Sequence, residues 1–178
     1  PPRSTLSSSS AASDVYKRQL IICGGIAAYK SLELIRLLKK NGSSIKCILT
    51  KGAQEFITPL SVTSLSQEKV FTDLFDPKSE AEMDHISLSR WADLILVAPA
   101  TANKIAKFSQ GISDDLASTV LLASDKKIFI APAMNVRMWE HVSTKENVKK
   151  LRNFGYEFIG PEIGDMACGE YGLSLIHI

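Results

Sequence analysis

Short, predominantly apolar runs separated by longer amphipathic stretches constrain this chain more than any other feature. Leu20–Cys23, Ile45–Leu49, Leu94–Ala98 and Ile128–Ala131 are each too short for a helix and too apolar for a surface loop, and Tyr156–Ile159 follows as a last candidate. Strands buried on both faces carry such near-continuous apolar runs. Between them the spacing is helical. Over Ile26–Lys40, Leu34, Leu37 and Leu38 are expected on one face and Lys30, Glu33, Arg36 and Lys40 on the other, with Asn41-Gly42 as a left-handed stop. Ala53–Ile57 and Leu60–Leu65 read as short helices divided by Pro59. Thr101–Phe108 and Asp114–Ala123 read as further helices, and Ser143–Phe154 starts with a Ser143/Glu146 capping box. Strands alternate with helices and no hairpin signal intervenes. That order predicts an α/β fold, a single domain with a parallel sheet covered by helices on both faces.

The 178 residues suffice for one such domain, with 45% hydrophobic and 22% charged residues. A net charge of +2 gives no bulk electrostatic case for a nucleic-acid partner or an anionic membrane. No apolar run approaches the roughly 18–20 residues that span a bilayer. Cys23, Cys47 and Cys168 form no C-x-x-C pair and are odd in number, so no metal site is expected and a reducing cytoplasm fits best. Residues 1–19 are Ser-rich and aperiodic, and are expected to be a disordered, non-native leader. Asp14–Gln19 and residues 173–178 resemble translated adapter sequence, which leaves 20–172 as the expected domain.

Parallel sheets bind ligands beyond the carboxyl ends of their strands, so the residues just after each strand are the candidates. Gly24-Gly25 follows the first strand and opens a helix, a geometry suited to an anion or to a plain tight turn. It is not G-x-G-x-x-G, and no acidic residue closes the second strand, which favours a mononucleotide over a dinucleotide. A C-x5-R phosphatase loop starting at Cys23 would need arginine where Tyr29 stands. Pro99-Ala100-Thr101-Ala102-Asn103 offers a hydroxyl and an amide after the third apolar run. Asn135, after Pro132-Ala133-Met134, is either a helix N-cap or a functional carboxamide. His85 follows Asp84 and is either a packed histidine or a base. Cys168, flanked by Gly164 and Gly169, is either a reactive thiol or a permissive loop residue. His141 is assigned no role, and His177 falls in the tail.

Six of these motifs, in order, resemble the homo-oligomeric flavin-containing cysteine decarboxylases, in particular the phosphopantothenoylcysteine decarboxylase domain of coenzyme A biosynthesis. They are Gly24-Gly25-Ile26-Ala27-Ala28-Tyr29-Lys30, Phe56-Ile57-Thr58-Pro59-Leu60, His85 ahead of Trp91-Ala92-Asp93, the Pro99–Asn103 turn, Pro132–Asn135 with Met138, and Ala167-Cys168-Gly169. The resemblance implies a flavodoxin-like or Rossmann-like sheet, FMN as cofactor, and a homotrimer or assembly of trimers with the flavin at a subunit interface. It implies FMN contacts at Gly24, Gly25, Ile26, Thr50, Phe56, Pro99, Ala100, Thr101 and Asn103. It implies substrate contacts at Met134, Asn135, Met138, Ala167 and Cys168, with His85, Asn135 and Cys168 catalytic.

The implied reaction converts 4′-phosphopantothenoylcysteine to 4′-phosphopantetheine. Flavin oxidation of the CH2–SH group to a thioaldehyde lets CO2 leave as electrons move onto sulfur, and the resulting ene-thiol is reduced again. Asn135 would hold the carboxylate, His85 would serve as base or orienter, and Cys168 would protonate the ene-thiol. Bacterial members often carry a fused CTP-dependent phosphopantothenoylcysteine synthetase domain, an implied native partner. One departure stands out. The family follows Ala-Cys-Gly with a Gly-x-Gly-Arg stretch that clamps the substrate, whereas here Gly172 is followed by Leu173-Ser174-Leu175. Flavin prenyltransferases share the scaffold but lack the Pro-Ala-Met-Asn and Ala-Cys-Gly pair. Peptide-cysteine decarboxylases keep similar motifs, and a non-enzymatic phosphatase regulator can lack the histidine or cysteine that this chain retains.

Overall fold

The computed structural model describes residues 15–74, 84–160, 162–165 and 171–174. Its centre is a six-stranded sheet formed by β1 (Lys17–Ile22), β2 (Ser44–Leu49), β3 (Val70–Phe71), β4 (Leu94–Ala100), β5 (Lys127–Pro132) and β6 (Glu157–Phe158). The spatial order is β3-β2-β1-β4-β5-β6 and every pair is parallel. With the two-residue β3 set aside, the order becomes the 2-1-3-4-5 of flavodoxin-like sheets; with it, the 3-2-1-4-5-6 of Rossmann-like ones. The direction of winding reverses between β1 and β4, which creates a switch-point crevice at their carboxyl ends.

Alternation along each strand divides the core into two layers. Leu20, Ile22, Ile45, Cys47 and Leu49 pack with Ala28, Ile35 and Val62, from helices α1 (Ala28–Lys40) and α2 (Pro59–Ser66). Ile21, Cys23, Ile48, Ile95, Val97, Ile128 and Ile130 face the other way. They meet α3 (Asp84–Trp91), α4 (Ala102–Gln110), α5 (Leu116–Leu122) and α7 (Val142–Asn153) through Leu88, Ile105, Phe108, Val120 and Leu151. Each fully buried Leu or Ile contributes about 1.5–3 kcal/mol relative to an exposed one, so these layers dominate the fold's stability. Among the described residues no helix is long and apolar enough to cross a membrane.

Several boundaries move from their expected places. β1 begins at Lys17 rather than Leu20, because Lys17, Arg18 and Gln19 pair with Ser44, Ile45 and Lys46. On α1 the buried stripe is Ala28, Ser31 and Ile35, while Leu37 is half exposed. The small residues bring the helix close to the sheet, and Ser31 donates to the Ala98 carbonyl at 2.8 Å. β4 continues through Pro99 to Ala100, with a register irregularity after Val97 that accommodates the missing N–H. Pro59 does not separate helices but occupies the first turn of α2, where its lack of a donor costs nothing, and Thr58 caps the helix. The cap of α7 is His141, whose Nδ1 accepts from the Ser143 N–H, in place of the expected Ser143.

An antiparallel hairpin, β7 (Glu162–Asp165) with β8 (Tyr171–Ser174), adds a second small sheet where none was expected. Its strands pair Gly164 with Gly172 and carry too few β-favouring residues to announce themselves.

Candidate functional site at the carboxyl edge of the sheet

Because all six strands run in one direction, the segments after β1, β2, β4 and β5 emerge along one edge. The turns after β1 and β2 touch through backbone. A Cβ on Gly24 would lie 2.6 Å from the Gly52 carbonyl oxygen, so only glycine fits there. Gly25 has φ of +153°, which L side chains rarely adopt, and nothing within 4 Å of where its Cβ would be. The chain then enters α1 without any side-chain cap. Ala28 N–H turns back to the Gly25 carbonyl at 2.9 Å. The N–H groups of Gly25, Ile26 and Ala27 find no backbone acceptor among the described residues. Open space, free donors and the positive end of a 13-residue helix suit a phosphate.

Around this turn the polar candidates are pre-set by helix caps. Thr101 caps α4, its Oγ1 accepting from Lys104 N–H at 3.3 Å, and Asn103 is exposed in the first turn. Thr50 is buried, with Oγ1 accepting from Ala53 N–H at 3.3 Å. Pro99 and Ala100 are buried and form the wall between β1 and β5: the Pro99 carbonyl accepts from Cys23 N–H and the Ala100 carbonyl from Ala133 N–H. Ile26 and Phe56 are about half exposed beside them and offer apolar surface to a flat ring. A cleft of about 450 Å³ opens between α1 and the end of β4, lined by Ala27, Tyr29, Ser31, Leu34 and Pro99 among others. His85 and Asn135 do not line it.

Asn135 caps α6 (Val136–Glu140), its Oδ1 accepting from Met138 N–H at 2.8 Å. The cap and the functional reading are compatible. Oδ1 is held by the backbone, while the NH2 of this exposed side chain makes no hydrogen bond among the described residues and is left as a donor. Met134 is half buried against the core, and Met138 is exposed. His85 lies in the first turn of α3 and is partly buried. Since α3 runs back toward the start of β4, this end of the helix is the one nearer the sheet's carboxyl edge. Ala167 and Cys168 lie outside the described residues, between the two strands of the hairpin. β8 packs against α6, the helix that Asn135 caps.

Two further features were not legible as site elements. Gly52 is the partner that makes Gly24 obligatory, and its only sequence signal is its place just after β2. Behind the glycine turn, Lys104 is buried and pairs with Asp115, which caps α5 by accepting from Ser118 N–H and Oγ. Burial alone would raise the Asp115 carboxyl, but hydrogen bonds from Lys104 and Ser118, with the Lys104 charge, hold it below the usual range. The charges of this pair reach Cys23. Burial pushes its thiol up to about 12, only partly offset by Lys104 and a hydrogen bond from Thr101, so it is no nucleophile. Cys47 is likewise pushed up to about 12 by burial. Among the described residues no His, Cys, Asp and Glu cluster could hold a metal.

The family profile described as Flavoprotein matches residues 6–177. The coenzyme A biosynthesis bifunctional protein CoaBC of Vibrio vulnificus is 48% identical over 151 residues, which are 85% of this chain and 38% of that protein. The chain thus spans well under half the length of the curated relatives it matches. The FMN-dependent cysteine decarboxylase SpaF superposes with a TM-score of 0.79 at 27% identity, covering 91% of both chains. A PPC decarboxylase mutant complexed with pantothenoylaminoethenethiol superposes at 0.78 and 28% identity, covering 90% of both.

Proposed function

The chain belongs to the flavoprotein family, and from that premise we propose that it binds FMN and decarboxylates 4′-phosphopantothenoylcysteine to 4′-phosphopantetheine. One observation carries the reading: the Gly24-Gly25 turn, the Thr101 cap and the Asn135 cap converge on one sheet edge at its switch point. The 48% identity to a CoaBC protein favours the phosphorylated small substrate.

The residues fit the cofactor. N–H groups at Gly25, Ile26 and Ala27 would receive the FMN phosphate, Gly24 and Gly52 keep that approach clear, and Thr50, Thr101 and Asn103 would meet polar atoms. Ile26 and Phe56 would flank the ring. When bound, FMN supplies the reversible two-electron oxidation of the cysteinyl CH2–SH group, which makes CO2 loss possible because the electrons released can move onto sulfur. Everything else falls to side chains. Asn135 would donate its NH2 to the substrate carboxylate and orient it until CO2 leaves. His85 would accept or relay the proton removed during oxidation. Cys168 would return a proton to the ene-thiol carbon, a role open to a thiol because an unperturbed thiol is mostly protonated at neutral pH. The related mutant decarboxylase complexed with pantothenoylaminoethenethiol, itself an ene-thiol, supports that order of events.

The same proposal includes association. His85 stands on α3, in the layer across the sheet from α1, and exposed Ile26, Phe56, Leu60 and Met138 give apolar surface for a second copy to cover. A trimer would join one chain's His85 to another's flavin.

The test is mass spectrometry of products after incubating the FMN-loaded protein with 4′-phosphopantothenoylcysteine. Loss of one CO2 is expected. The Cys168→Ser variant is expected to accumulate the ene-thiol, two hydrogens lighter than the product. Unchanged substrate on a protein that retains FMN overturns the proposal. Turnover of a peptide ending in cysteine, in preference to the small molecule, would instead support the alternative that the likeness to SpaF raises.

A further inference from the structure

The far flank of the sheet carries a groove between α6 and α7, apart from the glycine turn. It has a volume of about 410 Å³ and is lined by Trp139, Lys145, Val148, Lys149, Arg152 and Asn153. That volume falls in the range of small-ligand pockets, about 300–1,000 Å³. Its floor is apolar, since Val148 is buried and Trp139 is half buried against the core. Its rim is cationic. Lys145, Lys149 and Arg152 recur at helical spacing along α7 and project as one stripe.

Among the described residues none of these three cations pairs with a carboxylate, whereas Lys104, Lys107, Lys126 and Lys127 all do. Glu146 on the same helix and Glu140 at the end of α6 form no ion pair with them either. Arg152 instead lies over the Phe158 ring at 5.4 Å, which holds the guanidinium at the groove's edge. A flat indole beside a fork of uncompensated cations matches a ligand with an aromatic ring and several negative oxygens. Rings stack on tryptophan, and phosphates take bidentate contacts from arginine and point-charge contacts from lysine.

We propose that this groove binds a nucleoside phosphate, its base against Trp139 and its phosphates on Lys145, Lys149 and Arg152. The site is separate from the glycine turn and does not rest on the decarboxylase reading. It does touch the helix that Asn135 begins, because Trp139 N–H donates to the Asn135 carbonyl at 3.0 Å.

The experiment follows indole emission as ADP is titrated into FMN-saturated protein carrying Trp91→Phe, so that Trp139 is the sole reporter. A saturable quench is expected. The Lys149→Glu/Arg152→Glu variant should weaken it by about tenfold or more, the loss expected when charge-assisted hydrogen bonds are removed. These side chains are exposed, and unchanged circular dichroism checks that the variant is folded. Adenosine and inorganic phosphate should each bind at least about tenfold more weakly than ADP, because each offers half of the recognition. Absence of a saturable change, equal affinity in the charge-reversed protein, or inorganic phosphate matching ADP would each overturn the proposal.

Discussion

Substitution of Asn135 separates its two uses, since the side chain caps α6 with one atom and is proposed to hold substrate with another. In Asn135→Asp the capping acceptor survives, because aspartate is as good an N-cap as asparagine. The contact from Met138 N–H at 2.8 Å therefore persists and stability should barely change. The donor is lost, and a carboxylate replaces it beside the substrate's own. A hydrogen bond to a charged group contributes about 1.5–3 kcal/mol, so kcat/KM should fall by about 10- to 150-fold before repulsion is counted. Asn135→Ala removes both atoms. It should show the same kinetic loss together with about 1 kcal/mol of lost capping, a Tm decrease of about 2–4 °C for a chain of this size. Rates come from CO2 release and stabilities from thermal unfolding of the FMN-loaded protein. If Asn135→Asp turns over normally while Asn135→Ala melts lower, Asn135 is a cap alone and the carboxylate contact is refuted.

Three further outcomes follow from the packing. Gly24→Ala drives a Cβ to within 2.6 Å of the Gly52 carbonyl; parting the two turns should cost about 1–3 kcal/mol and weaken FMN retention, and undiminished flavin absorbance after gel filtration would contradict the contact. Gln19 is buried in β1, and among the described residues neither of its side-chain amide atoms is hydrogen-bonded, so Gln19→Leu, similar in volume, should stabilise by about 1–3 kcal/mol, and a lower urea midpoint would refute this. Asp115→Asn leaves Lys104 buried without its counter-charge and should cost up to about 3 kcal/mol near pH 7, the low end for breaking a buried pair because Asp115 is partly exposed. The folded Asp115 carboxyl lies below its unfolded value of about 3.9. Its stabilisation is therefore complete above that pH and lost as pH falls through the folded pKa, so the gap between variant and parent should close in acid. A gap equal at neutral pH and near pH 3 would contradict the linkage.

What could be read from the sequence follows burial. β1, β2, β4 and β5 were legible because strands covered on both faces need apolar residues at nearly every position. β6 (Glu157–Phe158) lies inside the expected Tyr156–Ile159 run, whereas β3 has two residues and hangs on the edge of β2, so no local pattern marks it. α3 escaped notice because Asp84-His85-Ile86-Ser87-Leu88-Ser89-Arg90-Trp91 has weak intrinsic helicity. Tertiary contacts hold it, with Leu88 buried and Trp91 packed beside it. Asp115 reads from sequence as a first-turn acid, yet it stands one residue before α5 as its cap. Only its partner Lys104, from a different helix, reveals why it is there.

The candidate site shows why caps and ligand contacts coincide. A residue that caps a helix sits where a strand has ended and the chain turns, which in a parallel sheet is the binding edge. Its side-chain oxygen is spent on a backbone N–H, so any remaining donor must point away from the helix. Thr101 is left with a hydroxyl hydrogen and Asn135 with an NH2 group, each fixed by the bond its oxygen makes. A bound anion then meets donors whose orientation was determined on folding, and little side-chain freedom remains to be lost on binding. This account separates Thr101 from Thr58, which also caps a helix through its hydroxyl but precedes α2 rather than following a strand of the sheet. Thr58→Ala should therefore lower stability without changing flavin affinity, while Thr101→Ala should lower both, and equal loss of flavin in the two variants would remove the link between cap position and site.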